Sequence, residues 1–403
     1  MQANYFAILV CLALAFLNAG CQTFDATNKA SSSDTPTVQI TNTNAIPAEI
    51  FGDHFFVRST MNGHELRLIL DTGASHVLIS PSAAAAVGLK KDKDAQLTAL
   101  GGTGRSSAGA GVANSFDVGG ALGKKIPVFI APFPDVFEAD GLLGLAFLNG
   151  TIFRLDYEAK MVSFAAPTNN FLTPRGTIVP IQIEDHWLTI PAEVDGIHVL
   201  LMVDTGASES ITLEPWFVKK YGLRERYPKR LNVVTGLGVL GPIHGEIARL
   251  RSLKIGDYEL TNLCVDFETK PKARQTKVAG KIGVGVLSRF TLTFDPAGKR
   301  LWLEPNARFG SDIPRPVVRS GLVCLPEGKK WLVQDLVPGS PADAAGVQLR
   351  DAVLEINGTA VSAMSSWKIR DSFAAEPGTT LRLRLQTGAQ APREVTLTLQ
   401  DCF

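Results

Sequence analysis

Two aspartates stand at the ends of apolar runs, and each opens the same short word. Leu68-Ile69-Leu70-Asp71-Thr72-Gly73-Ala74-Ser75 recurs as Leu201-Met202-Val203-Asp204-Thr205-Gly206-Ala207-Ser208. An apolar strand running into Asp-Thr-Gly sets a carboxylate at the strand's end in low-dielectric surroundings, and the glycine lets the backbone turn sharply. One such carboxylate alone stays ionised and does little chemistry. Two brought together cannot both ionise cheaply, because like charges a few ångströms apart repel strongly in a dry site. They share a proton, so that one is a base toward water and the other an acid toward a carbonyl oxygen. Asp71 and Asp204 are the candidate catalytic residues.

The elements that must position them are also duplicated. Asn62-Gly63 matches Asp195-Gly196, each a hairpin-turn dipeptide between β-rich runs. Ser80-Pro81 and Gly88-Leu89 flank a short helical stretch, as do Glu214-Pro215 and Gly222-Leu223. Gly141-Leu142-Leu143-Gly144 corresponds to Gly280-Lys281-Ile282-Gly283, and Asp156 and Lys160 to Asp295 and Lys299. An ordered series of this kind predicts two homologous lobes, over 51–165 and 177–306, joined by a linker over 166–176. Strand-like runs fill both: His64 to Leu70, Val112 to Val118 and Ile126 to Ile130, then Trp187 to Val194, His198 to Val203, Ile247 to Ile255 and Leu292 to Phe294.

On these residues the chain resembles the retropepsin-like aspartic proteases, the family of pepsin and the retroviral enzymes. The resemblance implies a mainly β fold, with two closed or partly open barrel lobes forming a pseudo-dimer. It implies that Asp71 and Asp204 are the dyad, supported by Thr72, Gly73, Thr205 and Gly206, with the threonine hydroxyls locking the lobes together. Leu142-Leu143-Gly144 matches the family's apolar-apolar-Gly element beneath the catalytic loop, and the second lobe departs from it with Lys281. Glycine-rich stretches carrying Gly101, Gly102 and Gly104, and Gly236 and Gly238, fall where the family has substrate flaps, hairpins that close over substrate and exclude water.

The pattern changes after Pro305-Asn306, and a connector over 307–316 leads to a third module at 317–403. Trp331-Leu332-Val333 reads as strand, followed by Pro338-Gly339-Ser340-Pro341-Ala342, a short helix and Ala352 to Gly358. This resembles a bacterial PDZ domain of the kind fused to periplasmic proteases, a fold that binds a peptide C-terminus along a sheet edge. The resemblance implies that Gly321, Leu322 and Val323 form a carboxylate loop, with Ser366 to Phe373 the helix beside the groove. Cys324 and Cys402 fall on the expected first and last strands of the module, which predicts a disulfide if those strands are neighbours.

Several classes are excluded by composition. The 403 residues carry 40 Lys and Arg against 39 Asp and Glu, a formal charge of +1, with no long basic run to hold nucleic acid. A 45% hydrophobic, 20% charged chain is globular. Gly236-Leu237-Gly238-Val239-Leu240-Gly241 fits a dinucleotide pattern, but Pro242 follows at once and no strand-then-helix unit surrounds it. Scattered histidines and the lack of Cys-x-x-Cys point to no metal, and the chemistry needs no cofactor. Tyr5 to Leu17 is an apolar run of signal-peptide length ending in Asn18-Ala19-Gly20-Cys21, which resembles a bacterial lipoprotein signal. That resemblance implies cleavage after residue 20, lipidation of Cys21 and a periplasmic, membrane-anchored protein; the alternative is a plain secretory signal. Residues 21–50, rich in Ser, Thr and Asn, are expected to be a flexible tether. The resulting expectation is a monomeric aspartic endopeptidase acting on peptide or protein substrates, with PDZ-mediated recruitment or regulation. The competing expectation is a non-catalytic peptide-binding protein with the same cleft, in which Lys281 marks a degraded active site.

Overall fold

The computed structural model describes residues 36–40, 45–98, 105–167, 174–184, 186–238, 241–269, 277–313 and 315–402. The apolar runs that lead into each Asp-Thr-Gly are the strands His64–Leu70 and Ile197–Val203. Leu68, Leu70, Leu201 and Val203 are fully buried, as expected where both faces of a strand are covered. In the first lobe His64–Leu70 lies between His54–Met61, antiparallel, and Gly141–Leu143, parallel. The second lobe repeats this with Ile197–Val203 between Trp187–Val194 and Val278–Ile282. The parallel neighbour arrives from far along the chain and fixes the strand end: the Asp71 N–H donates to Leu143 O and the Asp204 N–H to Ile282 O, each at 3.0 Å.

Each lobe has its own sheet, of eleven strands in the first and eight in the second, and a third sheet of six strands is shared. Its centre is the pair Ile152–Asp156 and Phe290–Asp295, one from each lobe, in antiparallel register with Phe153 opposite Phe294. Those two rings stack with centroids 4.6 Å apart. One continuous sheet therefore holds the lobes in a fixed relation, which the strand-by-strand reading of each lobe does not disclose.

Two expectations need correction here. The tether over 21–50 is at least partly folded: Thr37–Ile40 pairs with Ala121–Lys124, Ala45–Pro47 with Met161–Ser163, and Glu49–Phe51 with His54–Phe56. An edge strand needs an apolar residue only at alternate positions, and Val38, Ile40 and Ile46 supply them within an otherwise polar stretch. The run Val112 to Val118 is not one strand but the ends of two, Arg105–Ala113 and Phe116–Val118, with a turn between them that Asn62 caps through Ser115.

The third module is a sheet in the order Leu322–Glu327, Lys330–Leu336, Asp351–Ile356, Thr380–Thr387, Arg393–Thr398. The helix Ser366–Phe373 closes its core through Ile369 and Phe373. The expected Cys324–Cys402 disulfide is absent, and both are free thiols. The first and last strands sit at opposite edges of the sheet, Cys402 lies beyond the last strand, and the two side chains face different clusters.

The module is seated on both lobes. Trp367 packs into the first lobe with Phe56, Ile69 and Leu78. Val317, Val318 and Val337 pack with Leu231, Val233 and Ile247 of the second. Polar ties accompany them: the Val234 N–H donates to Asp335 Oδ2 at 2.8 Å, the Ser366 N–H to Glu138, and Arg315 pairs with Asp266.

Candidate active site

The two Asp-Thr-Gly loops meet across a pseudo-twofold. The Thr72 N–H donates to Thr205 Oγ1 at 3.0 Å and the Thr205 N–H to Thr72 Oγ1 at 3.1 Å. Each hydroxyl then donates across the divide, Thr72 to Val203 O at 2.7 Å and Thr205 to Leu70 O at 2.9 Å. Both threonines are buried, so these four bonds replace water fully and register one loop on the other.

Glycine is required on both sides by closeness of approach. A Cβ on Gly73 would collide with the Asp204 carboxyl, and one on Gly206 with the Asp71 carboxyl. Asp71 Oδ1 accepts from the Gly73 and Ala74 N–H groups at 2.7 and 3.1 Å. Asp204 Oδ1 accepts from the Gly206 N–H at 3.0 Å. Burial, the neighbouring Asp204 charge and a hydrogen bond to Asp204 push the Asp71 pKa up to about 8, against the pull of the Gly73 N–H and Lys281. Two adjacent carboxyls in a water-poor pocket hold one proton between them, and burial together with the neighbouring charge favours its staying on Asp71.

Lys281 explains that placement. It occupies the position of Leu142 in the other lobe: Leu142 stands opposite Ile69, and Lys281 opposite Met202. Its Nζ lies 3.3 Å from Asp204 Oδ2 and 3.8 Å from Glu209 Oε2. Burial opposes the ammonium charge, but Glu209, Asp204 and Glu268 outweigh it and raise the pKa, so the lysine stays charged. Burial likewise opposes the Glu209 charge, and Lys281 and Arg315 overcome it. Behind them burial pushes Glu268 up to about 7 and Asp266 up to about 6, against the opposite pull of Lys281 and Arg315. A cation beside one carboxyl favours negative charge there, and Lys281 touches Asp204 and not Asp71.

His54 is a second feature that the motif does not signal. It stands at the start of the strand His54–Met61 in the first lobe, and its ring reaches the second: Nδ1 to Thr205 O at 3.1 Å and Nε2 to Ser208 Oγ at 2.9 Å. Burial, with Arg370 adding to it, lowers its pKa to about 4, so it is a neutral positioning group.

Asp71 and Asp204 open onto a cavity of about 500 Å³. The hairpin Leu231–Gly238 with Gly241–Ile255 lines it through Thr235, Gly236, Leu237 and Ile243, where the second flap is expected. Gly238 ends the first strand of that hairpin, opposite Gly241. The base of the hairpin is buried under the third module through Leu231, Val233 and Ile247. Gly101, Gly102 and Gly104 lie outside the described residues, between the paired strands Lys93–Thr98 and Arg105–Ala113. Cys21 lies outside them as well. Of the expected carboxylate loop, Leu322 and Val323 line the same cavity and Gly321 does not; the Gly321 N–H already donates to Val317 O at 3.0 Å and the Leu322 N–H to Ser320 Oγ at 3.2 Å.

A dyad built from duplicated lobes, gripped by paired threonines, is the site of an aspartic-protease fold. Residues 57–147 and 190–284 match the family model described as aspartyl protease, and residues 332–387 match that of the PDZ domain. Two tandem segments of the chain thus match the aspartyl protease domain, and a third segment after them matches the PDZ domain. Among solved structures it is similar to the aspartic proteinase of Irpex lacteus, at 14% identity, over 66% of this chain and 98% of that chain, with a TM-score of 0.46. No curated protein sequence matches it.

Proposed function

We propose that the protein is an aspartic endopeptidase in which Asp204 is the base and Asp71 the acid. The observation that carries this reading is the close approach of the two carboxyls across paired glycines, with Lys281 Nζ 3.3 Å from Asp204 Oδ2. A water between the carboxyls loses a proton to Asp204 as its oxygen attacks the peptide carbonyl carbon, while Asp71 gives its proton to the carbonyl oxygen. In the resulting tetrahedral diol, Asp204 passes its new proton to the amide nitrogen and Asp71 recovers a proton from a hydroxyl. The C–N bond then breaks, and the dyad returns to its starting state. The chemistry draws on no metal or cofactor.

Backbone groups of the cleft and of the Leu231–Ile255 hairpin would hold the substrate extended, as an added strand. The PDZ domain would recruit substrate or regulate access. The apolar N-terminal run and Cys21 support the further proposal of export and lipid anchoring, which metabolic labelling with palmitate in wild type and Cys21→Ala tests. For the activity itself the test is cleavage of denatured casein across a pH series, with and without a pepstatin-type transition-state analogue. Cleavage that the analogue blocks supports the reading; peptide binding without cleavage, in wild type and at every pH, replaces it with the binding-protein alternative.

A further inference from the structure

The cavity that holds the dyad does not stop at the protease lobes. Its far wall belongs to the PDZ domain: Cys324 and Leu325 from the strand Leu322–Glu327, and Ser366 and Arg370 from the helix Ser366–Phe373. That strand is the edge of its sheet, paired among the described residues only with Lys330–Leu336. The groove between strand and helix thus opens into the catalytic cleft instead of facing solvent elsewhere. The contacts of Trp367 on one lobe and of Val317, Val318 and Val337 on the other fix its position relative to the dyad.

Arg370 is the unusual group in this wall. Its Nη1 is buried and has no hydrogen-bond partner. That nitrogen lies on the Gly52 side of the guanidinium, where a Cβ on Gly52 would collide with it. Trp367 lies beside its guanidinium, 5.7 Å from ring centroid to Cζ. The nearby acid Asp53 is already engaged by Arg308, at 2.7 and 2.8 Å. A guanidinium with buried, unmade hydrogen bonds costs stability unless something supplies an acceptor, and a carboxylate is the matching one. Trp367 also touches His54, whose ring bonds to Thr205 beside Asp204, and Arg370 lines the same cavity as the two aspartates.

Building on the endopeptidase reading above, we infer that Arg370 is a substrate-carboxylate receptor inside the catalytic cavity. The substrate class is then peptides with a carboxylate at the PDZ end, cut at a set short distance from it. Such a protein trims tails and does not cut chains at random. The carboxylate can be a free C-terminus or an Asp or Glu side chain, and both present the same chemistry to Arg370.

The test uses the full chain and one peptide sequence, found by casein-derived product mapping, in three forms: free C-terminal acid, C-terminal amide, and amide with glutamate at the last position. Expected is a kcat/KM about tenfold or more higher for the free acid than for the plain amide, as one charge-assisted contact provides. The glutamate amide will match the acid if a side chain serves as well, and will match the plain amide if only a C-terminus does. Residues added at the C-terminus should move the cut site with them, and residues added at the N-terminus should leave it in place. Arg370→Gln should erase the preference, and Arg370→Lys should restore part of it. The peptide comparison in wild type needs no variant, so misfolding of either substitution leaves the inference testable. Cleavage of all three forms at equal rates overturns the inference and spares the endopeptidase reading. If no form is cut, that reading fails, and the inference is judged by fluorescence anisotropy on the Asp71→Asn protein. Equal affinity for acid and amide there sinks it.

Discussion

The two catalytic loops share a backbone and differ in what surrounds it. Around Asp71 the first lobe places Leu142 opposite Ile69 and Leu78. Around Asp204 the second places Lys281 opposite Met202 and Thr212, with Glu209, Asp266, Glu268 and Arg315 close behind. Asp71 receives two backbone N–H groups; Asp204 receives one, and an ammonium in addition. A symmetric dyad has no intrinsic preference for which member holds the proton. Replacing one leucine by lysine breaks the tie, so a duplicated site becomes an ordered acid and base. Under the endopeptidase reading proposed above, the departure from the family pattern at Lys281 serves to polarise the dyad.

The largest way to break this comparison is to remove either member. Asp71→Asn and Asp204→Asn should each lower casein cleavage by about 10³-fold or more, since each step of the reaction uses both groups. Circular dichroism should remain unchanged, and a single-aspartate variant with wild-type turnover would end the dyad reading.

Exchanging the environments sharpens it. Without a cation beside them carboxyls hold protons more tightly, so Lys281→Met should move the pH–rate profile upward by about 1 unit, weakening activity on the acid side and extending it above pH 8. An unmoved profile would show that Lys281 does not act on the dyad. Above pH 8 the wild-type protein should lose activity, because Asp71 gives up the proton it donates as pH rises through about 8. That limb should be missing from the pH dependence of substrate binding alone, and its presence there would assign it to another group.

The smallest effect concerns His54, which only the first lobe supplies; Trp187 holds the matching place in the second. His54→Phe removes two bonds between the lobes and should cost about 2 kcal/mol at pH 7, measured by urea unfolding. Folding lowers the His54 pKa from its usual 6.5 to about 4. Its neutral ring therefore supports stability above pH 6.5, and that support is lost as pH falls toward 4, where the unfolded chain binds the proton more readily. The substitution should flatten this acid-side loss, and a variant with the full wild-type slope would place it in another group.

Legibility followed the range of the interactions. Strands such as His64–Leu70, Ile126–Ile130 and Trp187–Val194 are evident because burial on one or both faces writes a local pattern of residue types, while the helix Ser366–Phe373 comes only from the PDZ resemblance. The long strand Tyr258–Glu268 carries no clear local pattern, because Glu259, Thr261 and Asn262 break up its exposed half and Asp266 and Glu268 its buried half. The Cys324–Cys402 bridge was misjudged because first and last in sequence does not mean adjacent in a sheet. His54 carries no motif at all; its role comes from a partner 151 residues away.

An apolar strand ending in Asp-Thr-Gly, met twice in one chain, is enough to predict two lobes and to single out Asp71 and Asp204, because local alternation and a repeated motif are properties of neighbouring residues. Which aspartate keeps the proton, and the opening of the PDZ groove into the catalytic cleft, depended on the folded arrangement. Both arise where Lys281, Arg370 and Trp367 meet groups distant in sequence, and the electrostatics and packing of such encounters exist only once the chain has closed on itself.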